Sequence, residues 1–223
     1  MGENVLAITD LKVCDDPNAS FVPLTLEDVT DILRDAGYTD SSAPEAPLPF
    51  EDVPADAFYY EPVAWAVKNG ITNGISDTRF APDNLTTRGQ IVTFLWRAAG
   101  EPEPASTTNP FADVDESEFY YKAILWAVET GITNGVTKTT FNPDGNCTRA
   151  QAVTFLYRYA GKPTVEGLEN PFTDVSSREF YYNAILWAVE QGITTGVTPT
   201  TFVPDATCTR GQIVSFLYRH MAD

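Results

Sequence analysis

An arginine occupies the first position of a predicted helix at three places in this sequence. In the segment "CTRAQAVTFLYR" at 147–158, Thr148 and Gln151 have the spacing of a capping box. In such a box the threonine hydroxyl accepts a hydrogen bond from the Gln151 backbone N–H, and the glutamine side chain accepts one from the threonine backbone N–H. Arg149 is then the first helical residue. The same spacing occurs twice more, which gives two equivalent sets: Arg88, Arg149 and Arg210, and Gln90, Gln151 and Gln212.

A cation at a helix start faces the positive end of the helix dipole and four N–H groups without intrahelical partners. The mismatch costs up to about 1 kcal/mol at an exposed site, whereas a bound anion would stabilise the helix. We therefore predict an anion at each arginine. It is either an intrachain carboxylate or a ligand carboxylate or phosphate, in which case aspartates orient the arginine and accept from ligand hydroxyls. The candidate aspartates lie in "P-D" turns (Asp83, Asp144 and Asp205) and "F-x-D-V" segments (Asp52, Asp113 and Asp174).

The segments that position these arginines belong to an internal repeat of 61 residues. Three copies align without a gap over 49–109, 110–170 and 171–223. In each copy a helix with apolar residues on almost every side precedes a turn-rich structured loop, and a second helix begins at the arginine. Two helices and a loop of this size cannot bury their apolar faces alone, so we predict a mainly α-helical, three-pronged assembly of the copies around an approximate threefold axis.

Residues 1–48 do not follow the repeat. The segment "PLTLEDVTDILRDAGY" predicts one short helix that begins near Thr25 and ends at Gly37. A possible strand precedes it, and "TDSSAPEAPLP" is typical of a linker. We interpret this region as an extension or the remnant of an upstream domain.

Composition excludes several classes of function. A net charge of −17, from 31 acidic and 14 basic residues, disfavours nucleic acid or anionic membranes as partners. No apolar run is long enough to span a membrane, and Met1–Asp10 lacks the pattern of a signal peptide, so any export signal was removed or never present.

The cysteines and the histidine offer no reactive site. Cys14, Cys147 and Cys208 lack the spacing of a zinc site or disulfide scaffold. Cys147 and Cys208 are interpreted as small buried side chains, and Cys14 has no assigned role. The sequence places no nucleophile or paired metal ligand at a spacing from His220 that indicates a catalytic site. A glycosidase pair of carboxylates would have to occur three times, once in each copy. An enzyme is therefore the third hypothesis, and neither a metal nor a cofactor is expected.

The copies resemble S-layer homology domains. That family has "F-x-D-V", a Trp-containing helix, "G-I-x-x-G", "F-x-P-x-x-x-x-T-R-A-E" and a closing apolar helix in this order. The resemblance implies a pseudo-trimer that anchors surface proteins outside the bacterial cell to secondary cell-wall polysaccharide, often to pyruvylated N-acetylmannosamine, with S-layer or other surface proteins as further partners. It also implies that the helix-start arginines contact the ligand in grooves between repeats. This chain departs from the family in having Gln for Glu after "T-R-A", and in Gly89 and Gly211, which could let a ligand approach more closely.

Three other sets of residues recur in every copy. The tryptophans are either core residues or an aromatic platform for a sugar, and the tyrosine pairs are candidate groove walls. A second arginine set lies near helix C-termini, where it complements the dipole without a ligand. If the helix-start arginines only make intrachain ion pairs, the alternative function is a protein-interaction or self-assembly module. The sets are Trp65, Trp126 and Trp187; Tyr59–Tyr60, Tyr120–Tyr121 and Tyr181–Tyr182; and Arg97, Arg158 and Arg219.

Overall fold

The computed structural model describes residues 48–222. Within that range the chain forms six helices and no strands, two helices in each copy, which confirms the predicted elements. The short helix, the linker and the cysteine predicted near the N-terminus lie outside the described residues. None of the six helices is long and apolar enough to cross a membrane. They are α1 Tyr60–Lys68, α2 Arg88–Ala98, α3 Tyr121–Glu129, α4 Arg149–Tyr159, α5 Tyr182–Glu190 and α6 Arg210–Met221.

The main helix pairs form between copies and not within them. Helix α2 of the first copy packs on α3 of the second, α4 packs on α5 of the third, and α6 returns to pack on α1 of the first. Helix α4 also contacts α2 and α6. The three copies therefore close into a ring, as the repeat predicts, because the first helix of each copy packs mainly on the second helix of the preceding copy.

Backbone hydrogen bonds join the three copies at the centre of this ring. The N–H of Thr86 donates to the carbonyl of Cys208 at 2.9 Å, that of Cys208 to Cys147 at 3.0 Å, and that of Cys147 to Thr86 at 2.8 Å. All three residues are fully buried, and both thiols are free. Burial raises the pKa of both thiols, to about 12 for Cys208. The interpretation of Cys147 and Cys208 as small buried side chains is confirmed.

A glycine in each turn-rich loop has a backbone conformation that other residues rarely adopt. In the second copy, Gly135 has φ +80°, and an added Cβ would lie 2.5 Å from the Phe111 ring and 2.6 Å from the Thr137 carbonyl. We expect Gly135→Ala to lower the free energy of unfolding by about 3 kcal/mol, since overpacking adds to the left-handed backbone strain. Urea denaturation measures this change.

The matched control is Gly131→Ala, at the left-handed position after α3. Gly131 has φ +74°, but an added Cβ meets nothing within 4 Å. That substitution should cost only about 1 kcal/mol, from the backbone conformation alone. Equal effects at the two glycines would contradict the packing argument.

Candidate functional site

Each helix-start arginine extends from its own copy into the next one. Arg88 Nε donates to the carbonyl of Phe141 at 2.9 Å. Its guanidinium carbon lies 4.7 Å from the centroid of the Phe141 ring and 5.3 Å from that of Phe155, which are cation–π distances. Arg149 makes the same bond to Phe202, and Arg210 makes it to Phe80. The three arginines thus occupy equivalent positions between successive copies.

The N–H groups at the helix starts are already hydrogen-bonded. The capping boxes form as predicted at all three helices. The N–H of Arg88 donates to Gly145 O at 2.9 Å, and the N–H of Gly89 donates to Pro143 O at 2.8 Å. Loop carbonyls of the next copy do the same at Arg149 and Arg210. The expectation that free N–H groups help to hold an anion is therefore wrong, because the neighbouring copy caps each helix.

The F-x-D-V aspartates hydrogen-bond to backbone groups, and they act on the helix-start arginines only electrostatically, by opposing the lowering of the arginine pKa that burial causes. Asp52 accepts from the N–H of Phe80 and of Ala81, each at 2.8 Å, and Asp113 and Asp174 do the same in their copies. Burial raises the pKa of Asp52, but these backbone hydrogen bonds outweigh it, so the pKa is lowered overall. Each aspartate thus holds the phenylalanine whose carbonyl accepts from an arginine of the preceding copy.

The three arginines are buried cations without a carboxylate partner in the described part of the chain. The ion pairs there are Arg79–Asp52, Arg97–Glu101 and Lys122–Glu103. The intrachain carboxylate predicted for the helix-start arginines is therefore not found within residues 48–222. The aspartates of both candidate sets lie beyond hydrogen-bonding distance of the helix-start arginines.

Burial of these charges is unfavourable without compensation. The helix-start arginines are 4%, 6% and 4% exposed in chain order. Burial lowers the pKa of all three, to about 10 for Arg210, which leaves them protonated at neutral pH. Nη2 of Arg149 and of Arg210 has no hydrogen-bond acceptor. A buried charge with unused donors is costly.

Two of the arginines line open cavities, which we name groove 1 and groove 2. Each groove draws on three copies: an arginine from the preceding copy, a loop and second helix from its own copy, and a phenylalanine from the following copy. Groove 1 has a volume of about 200 Å³ and is lined by Arg210, Thr72, Gly74, Ile75, Gln90, Thr93, Phe94, Arg97 and Phe119. Groove 2 has a volume of about 350 Å³ and is lined by Arg88, Thr133, Asn134, Gly135, Val136, Gln151, Thr154, Phe155, Arg158 and Phe180.

Comparison with known proteins identifies the repeat. The family model of the S-layer homology domain matches residues 49–92, 110–153 and 171–214. The chain belongs to this family. Membership makes the repeats a cell-surface anchoring module.

Relatives of this S-layer homology chain include surface proteins. A "Cell surface protein" of Thermoanaerobacter kivui is 35% identical over 120 residues, which are 52% of this chain and 16% of that protein. A "Surface-layer 125 kDa protein" of Lysinibacillus sphaericus is 37% identical over 112 residues, 47% of this chain and 9% of that protein. A "Cellulosome-anchoring protein" of Acetivibrio thermocellus is 26% identical over 179 residues, 78% of this chain and 39% of that protein. The chain matches well under half the length of each relative.

Two members of the second arginine set also line the S-layer homology grooves. The sequence pattern did not predict this position. Nη1 of Arg97, Arg158 and Arg219 donates to the carbonyls of Ile71, Ile132 and Ile193, at 3.3, 3.1 and 2.9 Å respectively. Arg97 lines groove 1 and Arg158 lines groove 2. Complementing the helix dipole is therefore not their whole role. The recurrence of these arginines in every copy indicated a shared role, but it did not indicate which surface they face.

Exposed apolar residues at the groove edges were missed as well. Phe119 lines groove 1 and Phe180 lines groove 2, and these side chains are 58% and 65% exposed. Phe58, at the equivalent position of the first copy, is 62% exposed. The "F-Y-Y" pattern places this phenylalanine directly before each tyrosine pair, so a third aromatic residue that recurs in every copy was the available signal.

The tryptophans lie mainly in the core of the S-layer homology assembly. Trp126 and Trp187 are 7% and 3% exposed. Trp65 is partly buried, with its ring edge-to-face against Tyr218 at 5.8 Å. None of the three lines groove 1 or groove 2. Of the two interpretations of the tryptophans, core residues or a platform for a sugar, the first describes Trp126 and Trp187.

The glycines after two of the arginines accommodate tyrosines. An added Cβ at Gly89 would lie 2.8 Å from the ring of Tyr120, and one at Gly211 would lie 2.9 Å from Tyr59. The expectation that these glycines let a ligand approach is wrong, because tyrosines of the following copies fill the space. Gln90 and Gln151, by contrast, both close the capping boxes and line the grooves.

Proposed function

We propose that residues 49–223 form a non-catalytic module that anchors a larger protein to the bacterial cell wall, outside the cell. Its ligand is an anionic, pyruvylated sugar of the secondary cell-wall polysaccharide, bound in the grooves between copies. The helix-start arginines supply the main cation of each groove, and Gln90, Gln151 and Gln212 line it. Neither a cofactor nor a metal takes part.

The three buried guanidinium groups, which make no ion pair with a carboxylate of residues 48–222, carry this proposal. Each is held by one carbonyl and by aromatic rings, and these contacts do not neutralise its charge. A ligand carboxylate in the groove would supply the missing charge and accept from the remaining donors. The second arginine adds a guanidinium group to the groove, although Arg97 of groove 1 already pairs with Glu101. The exposed phenylalanine suits the apolar face of a sugar.

The net charge of −17 does not prevent anion binding. Six of the 14 basic residues belong to the two recurrent arginine sets, and four of them line groove 1 or groove 2, so positive charge is concentrated where the ligand would lie. The remaining surface is acidic and repels anionic polymers that do not reach a groove. The arrangement favours specific attachment over non-specific adsorption, since exposed charges are screened within about 8 Å at physiological salt.

Co-sedimentation with purified wall sacculi tests the proposal. The protein should sediment with sacculi that carry the secondary polymer and remain in solution with sacculi stripped of it. Because up to three grooves act together, the difference in apparent affinity should be about 100-fold or more. Equal retention on both preparations would overturn glycan binding and favour the protein-interaction or self-assembly alternative.

A further inference from the structure

Besides the two grooves, a third cavity borders groove 1 and shares Phe119 with it. It has a volume of about 560 Å³ and is lined by Trp96, Glu116, Ser117, Glu118, Phe119, Tyr121 and Lys122. We propose that this cavity, the side pocket, binds uncharged sugar residues of the polymer whose anionic residue lies in groove 1. The proposal rests on the function proposed above.

Contacts between two copies and their connector hold the side pocket in place. The Trp96 indole N–H donates to Pro102 O at 2.8 Å, which fixes the ring at the end of α2. Lys122, on the first turn of α3, pairs with Glu103 of the connector. One aromatic wall of the pocket is thus held in place, as in the largely preformed sites that usually bind small molecules.

The chemistry of the lining suits an uncharged sugar. The rings of Trp96, Phe119 and Tyr121 offer flat apolar surfaces for the C–H face of a pyranose. Glu116 and Glu118 offer acceptors for hydroxyl groups and repel a second anion. A cationic groove next to an acidic pocket therefore selects an anionic sugar followed by an uncharged one.

This combination of residues occurs at one boundary between copies in the described chain. At the other two boundaries a tyrosine replaces the tryptophan, and the acidic segment differs in charge and size. The equivalent residues are Tyr157 with Ser177, Arg178 and Glu179, and Tyr218 with Ala55, Asp56 and Ala57. Groove 1 would thus bind a longer stretch of polymer than its counterparts.

The test compares long and short ligands by calorimetry. The long ligand is soluble polymer released from sacculi by a muramidase, and the short ligand is its terminal acidic monosaccharide. The main variant is Glu116→Ala with Glu118→Ala, which should fold because the first copy has Ala55 and Ala57 at these positions. We expect it to bind the polymer about fivefold more weakly and the monosaccharide unchanged.

The sign of the change separates the proposal from simple electrostatics. Removing two negative charges should strengthen binding of an anionic polymer if only long-range attraction matters. Trp96→Leu should weaken polymer binding as well, and Trp96→Tyr should restore most of the affinity because Tyr157 donates to Pro163 O as Trp96 does to Pro102 O.

Each outcome either supports the side pocket or overturns it. Polymer affinity that stays equal or rises in the glutamate variant overturns the pocket, while the proposed function stands if the wild-type protein binds the monosaccharide. A wild-type protein that binds neither ligand overturns both.

Discussion

Replacing Arg88, Arg149 and Arg210 together with methionine should abolish retention on polymer-bearing sacculi and leave the protein folded. Each arginine would contribute about 1.5–3 kcal/mol to anion binding as a charge-assisted contact, and loss at every groove also removes avidity. Retention should therefore fall by about 100-fold or more. Co-sedimentation measures the loss, and urea denaturation measures the fold.

Stability separates this prediction from a structural role for the arginines. Methionine fills much of the same volume and removes a buried charge, which offsets the lost bond to the phenylalanine carbonyl. We expect the free energy of unfolding to change by at most about 2 kcal/mol per site. Alanine would add a cavity and cost more, about 2–5 kcal/mol for a large buried side chain.

The control changes the same charge outside the grooves. Lys138, Lys162 and Arg178 are exposed, and replacing them with methionine also lowers the net charge by three. That variant should bind sacculi as the wild-type protein does. If the groove variant also kept full binding, or if both variants lost it equally, the grooves would not be the anion sites.

Deleting the third copy, residues 171–223, should abolish cooperative folding. Helix α6 is the main partner of α1, and α5 is the main partner of α4, so both remaining copies would expose an apolar helix. The central hydrogen bonds through Cys208 would also be lost. Repeats stabilised by their neighbours lose interfaces when one copy is removed, and a ring loses two of its three.

Urea denaturation followed by circular dichroism measures this effect. The control is a chain that begins at Leu48, since residues 48–223 form a compact unit of their own. It should retain a single cooperative transition. A two-copy chain that unfolds with the same midpoint would show that each copy buries its helices internally, which would contradict the pairing described above.

Local patterns predicted the elements because local hydrogen bonds produce them. The threonine and glutamine of each capping box lie three residues apart, and their bonds form within one turn of helix. Gly131 and Gly161 follow helices, where a glycine is commonly left-handed, and both have positive φ. Such features depend on neighbours in the chain, which the sequence displays directly.

The site was only partly predictable because its contacts join different copies. Arg210 donates to Phe80 across 130 residues, a relation that no spacing rule indicates. The N–H groups of Gly211 and Arg210 are capped by Pro82 and Asn84, so the premise that these groups are free for an anion was incorrect. Arg158 faces groove 2, although its position near a helix end suggested only a dipole interaction.

The sequence by itself determined the repeat, the two helices of each copy, their start residues and the family. Those features follow from periodicity and from bonds between residues close in the chain. Only the tertiary structure decided that helices pair between copies, that the arginines are buried without carboxylates, and that phenylalanines rather than tryptophans border the grooves. Burial and the absence of a charge partner depend on which distant groups meet in space, and in this ring those groups come from the next copy.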